Sequence, residues 1–211
     1  MIALRLADEH PKAGPDYGVG LYRDITEWAA GTPGWMRELG ELFTEGGILL
    51  FAALLLLGYR RARRRDDRSM ALALLAPVAV AVVYALSEII KVWLQEERPC
   101  RDIPRVTSIA PCPEPGDWSF PSNHSVIAAA SAATLLVTWR LIGLLVLPVA
   151  VLAALSRVYV GVHYLHDVAA GFLLGLLLAP LVLLALMVPG TRAVASLRRR
   201  RTLPLILGSP S

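Results

Sequence analysis

Three short polar blocks stand at the ends of apolar runs in the second half of this 211-residue chain: Lys91 with Arg98-Pro99, then Pro121-Ser122-Asn123-His124, then Ser156-Arg157 with His163 and Asp167. Two histidines, a carboxylate, three permanent cations and a serine form a set suited to binding a phosphate and transferring it through a histidine. Such a site needs fixed donors around the non-bridging oxygens, a nucleophile, and an acid for the leaving group. Arg98 and Arg157 can each give paired hydrogen bonds to phosphate oxygens, and Lys91 offers a compact point charge. Seven positions separate Lys91 from Arg98, close to two helical turns, so both can project towards one region. His163 and Asp167 lie four apart and face the same way on a helical turn, where the carboxylate fixes the tautomer and raises the basicity of the other ring nitrogen. His163 is therefore the candidate nucleophile, and His124 the proton donor to the departing oxygen. Ser122 suits the cap of a helix starting beside it, whose free amides point at the anion, and Asn123 adds an amide donor.

The elements that must position these residues are membrane helices. The hydrophobic share is 55% and the mean hydropathy is +0.55. Both are concentrated in long blocks, the mark of an integral membrane protein. Apolar runs at 70–93, 125–139, 141–159 and 168–188 approach the ~20 residues that a bilayer core requires. The run at 125–139 is the shortest and is expected to begin inside Pro121 to His124. A further run at 46–59 is extended back through Leu42 and Phe43 towards Trp35. The expectation is an all-α polytopic bundle of five spans. Turns as short as Trp139-Arg140 make successive spans antiparallel neighbours, and Ala128 to Ala133 with Gly171 and Gly175 allow close helix contact.

Arginines collect in cytoplasmic loops near span ends. Arg60, Arg61, Arg63, Arg64, Arg65 and Arg68 follow the first span, Arg140 sits in the turn between the third and fourth, and Arg192 with Arg198 to Arg201 follows the last. Five spans put all of these on one face, so the polar blocks fall together on the outer face of a cell membrane. The expected organisation is a tail with an interfacial helix over 1–45, a transmembrane domain over 46–190 and a basic cytoplasmic tail over 191–211. Between Tyr17 and Thr44, apolar residues such as Leu21, Trp28, Trp35 and Leu39 are interleaved with charges, which suits a helix in the outer interface or a loosely ordered tail. Asp8, Glu9 and Pro11 interrupt any signal-like start, so this segment is expected to stay on the mature chain.

A pI near 9.4 could suggest nucleic acid, yet the surplus charge lies in the arginine clusters that topology and anionic headgroups explain, so no nucleic-acid partner is expected. The partners are the lipid bilayer and a lipid substrate. Cys100 and Cys112 both lie in the Pro-rich outer loop, where a loop-closing disulfide or two free thiols are open alternatives. Glu88 is an ionisable group at depth that either serves function or pairs with a neighbouring helix. His166 reads as a supporting or interface residue and His10 as a solvated one. Trp118 and Phe120 suit lipid contact or the aromatic belt.

At these residues the chain resembles the type 2 phosphatidic acid phosphatase superfamily of membrane lipid phosphatases. Its signature is a lysine, six residues and Arg-Pro, matched by Lys91, Arg98 and Pro99; then Pro-Ser-Gly-His, matched at Pro121, Ser122 and His124 with Asn123 in place of glycine. The third part, Ser-Arg, five residues, histidine, three residues and aspartate, is matched by Ser156, Arg157, His163 and Asp167. The resemblance covers roughly 91–171 and implies a phosphohistidine on His163, protonation of the leaving group by His124, no metal and no cofactor, and commonly six spans. Lys91, Arg98, Ser122, Asn123 and Arg157 are then the phosphate-binding set. Likeness to small bacterial members implies undecaprenyl diphosphate as substrate, with Arg101 and Arg105 reaching a second phosphate. Phosphatidylglycerophosphate or phosphatidic acid is the alternative, as are transfer to an acceptor other than water and a non-catalytic lipid-binding protein.

Overall fold

The computed structural model describes residues 16–200 and 204–208, and all regular structure among them is helical. The expectations for Asp8, Glu9, His10, Pro11 and Arg201 lie outside the described residues. The helices are α1 (Asp16–Ala30), α2 (Gly34–Ala62), α3 (Asp67–Leu94), α4 (Pro99–Asp102), α5 (Asn123–Thr138), α6 (Arg140–Tyr159), α7 (Leu165–Arg199) and α8 (Pro204–Leu207). The helices α2, α6, α7 and the one beginning at Asp67 are long and apolar enough to cross a membrane. With the shorter α5 they make the five-helix bundle expected from the apolar runs.

Helix α5 has 16 residues, about 24 Å at 1.5 Å per residue, which falls short of a ~30 Å hydrocarbon core. Its position resolves the mismatch. Val126 and Ala128 through Leu135 are buried nearly all round it, because α2, α3, α6 and α7 enclose it. A helix sheathed by others need not match the bilayer itself. The alanines let those neighbours close in, and two glycines of α7 take the α5 backbone against them: at Gly171 a methyl would lie 2.5 Å from the Ser122 carbonyl oxygen, and at Gly175 closer still to the Val126 carbonyl oxygen.

The arginine-rich segments converge at one end of the bundle. Arg198 near the end of α7 pairs with Asp67 at 2.8 Å and donates to the carbonyls of Arg65 and Leu207, and Arg61 lies 5.0 Å over the Trp139 ring. The opposite end carries the start of α2, the 99–120 segment and the connection between α6 and α7. There Cys100 and Cys112 form a disulfide, and the amides of Ile109 and Ala110 donate to the Val160 carbonyl.

Residues 17–44 fall in two helices, α1 and the start of α2. The chain turns at Gly31, Thr32 and Pro33, where proline removes a backbone donor, so α1 stands apart and residues 34–44 are continuous with the first span. Tyr22 fastens α1 by donating to the Gly161 carbonyl at 2.7 Å. That glycine turns the chain from α6 towards His163 at φ +83, a conformation that side chains resist. Helices α2 and α7 run through 45/46 and 190/191, the boundaries expected between the transmembrane domain and its two tails.

Candidate active site

His163 sits between α6 and α7, and Asp167 in the first turn of α7. They are 1% and 0% exposed. His163 Nδ1 lies 3.2 Å from Asp167 Oδ2, and Nε2 lies 3.0 Å from Arg98 Nη1. A guanidinium has only donors to offer, so Nε2 must present a lone pair and the proton must sit on Nδ1 against the carboxylate. Asp167 Oδ2 also accepts from the Ser119 hydroxyl at 2.5 Å and from the Tyr164 amide at 2.8 Å. The last bond closes the first turn of α7 and sets the carboxylate at a helix N-terminus, where negative charge is favoured. Burial pushes the His163 imidazole down to about 3, with Asp167 acting against the fall and Arg98 adding to it. The ring is neutral at ordinary pH.

The cations arrive from three helix ends. Lys91 occupies the last turn of α3, Arg98 immediately precedes α4, and Arg157 lies in the last turn of α6. All three are buried, and each faces a carboxylate or a carbonyl. Arg98 donates to the Asp117 carboxylate at 2.9 Å, to the Asp117 carbonyl at 2.8 Å and to the Val162 carbonyl at 3.1 Å. Lys91 lies 3.4 Å from the same Asp117 oxygen. Burial alone would raise the Asp117 carboxyl, yet Arg98 and Lys91 together hold it below the ordinary carboxylate range. Glu45, from α2, places one oxygen 3.6 Å from Arg157 Nη1 and 3.7 Å from His124 Nε2. The buried Arg157 Nε, His124 Nε2, and the hydroxyls of Ser122 and Ser125 have no hydrogen-bond partner among the described residues. Buried polar groups need partners, and a phosphate group presents several oxygens at once to such donors.

A family model described as the PAP2 superfamily matches residues 72–188, more than half of the chain. The chain belongs to the PAP2 superfamily. It is similar to an undecaprenyl-diphosphatase of Sulfolobus acidocaldarius, 37% identical over 57% of this chain and 55% of that protein. Another relative is phosphatidylglycerophosphatase B of Bacillus subtilis, 36% identical over 46% of this chain and 49% of that one. The chain thus spans about half the length of these relatives. A solved transmembrane PAP2-type phosphatidylglycerolphosphate phosphatase from Bacillus subtilis superposes with a TM-score of 0.56 at 26% identity, covering 80% of this chain and 85% of that one. The solved Aquifex aeolicus LpxE superposes with a TM-score of 0.64 at 22% identity, covering 81% and 97%, a likeness of fold.

Within this PAP2 site the two parts around Asn123 depart from expectation. The Asn123 side chain turns to α3, accepting from Ser87 at 2.8 Å and donating to Glu88 at 2.5 Å; it ties two helices together. Glu88 is thereby paired, with Lys91 also 3.8 Å away. Ser122 holds the cap position of α5, but its hydroxyl makes no capping bond, and its amide donates to the Asp167 carbonyl at 3.0 Å. Arg101, expected to reach a second phosphate, lies in α4. Its guanidinium is bound to Glu97 at 2.6 Å, one helical turn away, and to the Pro113 carbonyl. Arg105 is exposed on the loop. Phe120 lies against His166, ring centroids 5.9 Å apart.

Sequence reasoning missed Ser119, Asp117 and Glu45. A single serine in a Pro-rich loop carries no spacing signal, and acidic residues run against the charge expected around a phosphate. Among the described residues Glu96, His166 and Asp167 also bring three ligand-type atoms within 4.8 Å of one another, a cluster invisible before the loop folds onto α7.

Proposed function

We propose that this chain is a metal-independent lipid phosphatase of a cell membrane, acting on a polyprenyl diphosphate such as undecaprenyl diphosphate from the outer side through a phosphohistidine on His163. The observation that carries the reading is the pairing of a buried, neutral His163, proton held on Nδ1 by Asp167, with Arg98 at its unprotonated Nε2. In this reading Nε2 attacks phosphorus while the bond to the leaving oxygen breaks, and His124 gives that oxygen a proton. Water then attacks phosphorus, His124 takes its proton, the P–N bond breaks, and inorganic phosphate leaves with His163 restored. Lys91, Arg98 and Arg157 hold the phosphate oxygens and stabilise the charge that builds on them. Asp117 and Glu45 occupy those cations until phosphate displaces them.

The choice of a diphosphate is supported by the 37% identity to an undecaprenyl-diphosphatase. The comparable identity to phosphatidylglycerophosphatase B favours a second reading, a phosphatidylglycerophosphate substrate. The placement of the site is supported by the arginines gathered at the other end of the bundle. Phosphate release by detergent-purified protein, compared between a short-chain polyprenyl diphosphate and phosphatidylglycerophosphate with and without a chelator, tests the reading. Release that survives the chelator and vanishes in His163→Ala supports it; release that needs a metal, or that persists without His163, overturns it.

A further inference from the structure

We propose that His166 is a positioning residue for this reaction, bridging Glu96 and Asp167 so that the Asp167 carboxylate cannot turn away from His163. The inference rests on the reading of His163 as nucleophile, and it concerns a histidine at a position that the three-part signature leaves open.

Asp167 is fully buried, and its two oxygens are treated very differently. Oδ2 receives Ser119, the Tyr164 amide and His163 Nδ1. Oδ1 makes no hydrogen bond within ordinary geometry, and the atom that faces it is His166 Nε2, 3.2 Å away. That same nitrogen is 2.7 Å from Glu96 Oε1. A ring nitrogen set between two carboxylate oxygens must carry its proton, since a lone pair there would face two anions. The N–H is therefore donated to Glu96, and its positive end faces Asp167 Oδ1 across 3.2 Å, an electrostatic hold on Oδ1 while Oδ2 stays on His163.

The ring is clamped in that place. It stacks on Tyr164 with centroids 5.1 Å apart and planes 15° apart, Phe120 covers it from the 99–120 side, and Gly18 of α1 approaches its Nδ1. Glu96 is fixed in turn, because its carbonyl accepts from the Ser119 amide at 2.7 Å. The residue that holds the outer oxygen through His166 is thus tied by backbone to the residue that holds the inner one. Rotation of the carboxylate would break both sets of contacts at once. Small displacements of a catalytic group of this kind lower rates steeply.

His166→Ala, His166→Gln and Glu96→Gln separate positioning from mere support of the fold. In protein labelled with 15N-histidine, NMR reads the His163 tautomer whether or not a good substrate is at hand, and steady-state rates supply kcat and KM. The proposal expects folded His166→Ala to lose about tenfold in kcat with KM held within about twofold, and to show His163 as a mixture of tautomers. His166→Gln, which keeps an N–H near the carboxylates, should recover most of both, and Glu96→Gln should fall between. If His166→Ala does not fold, the two glutamine variants decide, and wild-type values in Glu96→Gln overturn the proposal. It is equally overturned by folded His166→Ala with unchanged kcat and tautomer, or by a divalent cation measured at a stoichiometric level and lost with His166, which would assign the cluster to a metal. If wild-type protein releases no phosphate from any lipid while the tautomer still depends on His166, the proposed substrate reading fails and the positioning role stands.

Discussion

His124 and His163 differ in what surrounds them, and the difference sets their expected roles. His163 has a proton-fixing carboxylate and a cation at its two nitrogens, whereas His124 presents a buried, unbonded Nε2 next to Arg157 and Glu45. An acid assists most when the departing oxygen is strongly basic. His124→Ala should therefore lose far more activity on a lipid phosphate monoester than on a diphosphate or an activated aryl phosphate, with a burst of leaving group used to establish that cleavage limits each rate. Equal losses across those leaving groups would make His124 a phosphate ligand instead. Asp117 allows a second expectation. On the proposed reading its ionised carboxylate would compete with phosphate for Lys91 and Arg98, so Asp117→Asn should lower KM by about fivefold, the equivalent of roughly 1 kcal/mol, with kcat little changed. A raised KM would mean that Asp117 organises the cations rather than blocking them. The spacing foresaw that His163 and Asp167 would meet, but not how: α3 ends at Leu94 and α7 begins at Leu165, so Arg98 and His163 lie in connections rather than on one helix face with their partners. The Asn123 contacts and the Glu45 carboxylate were not legible, because they depend on which helix lies opposite, and Asp117 was not, because the loop that carries it has no periodicity.

The start of α5 is placed by its neighbours more than by its own cap. Ser122 contributes its amide to Asp167 rather than its hydroxyl to α5, and Gly171 lets the α7 backbone lie directly beneath it. Gly171→Ala must push the two helices apart, since the atom it meets is backbone. Overpacking of this kind destabilises by about 1–3 kcal/mol, and here it also moves His124 away from His163. The variant should show a kcat loss that persists at temperatures where thermal melting in detergent finds it fully folded. Wild-type kcat in the folded variant would show that the α5–α7 spacing does not set the geometry of the site. Five apolar runs were enough to foresee the bundle, and the arginines to foresee which ends lie together. The burial of the short α5 at the centre could not be read, since an alanine run suits a lipid-facing helix and an enclosed one equally.

At the scale of the whole molecule, the two ends of the bundle carry opposite tasks. One end is bound together by Arg198, Asp67 and the carbonyls around them; the other holds the site, with the disulfide-closed 99–120 segment and α1 folded over the connection that bears His163. The loop's contribution of Ser119, Asp117 and a neighbouring Glu96 makes the site a product of tertiary closure, while the signature residues sit in helix ends or in the connections just beside them. The central claim is that phosphate passes through His163. Rapid quenching during turnover of a radiolabelled lipid diphosphate, followed by mapping of the labelled residue, tests it most directly. The account expects an acid-labile, base-stable phosphate on His163 that appears no slower than turnover and is absent from His163→Ala. Label on any other residue, or single-turnover phosphate release with no phosphoenzyme at any quench time, would contradict it.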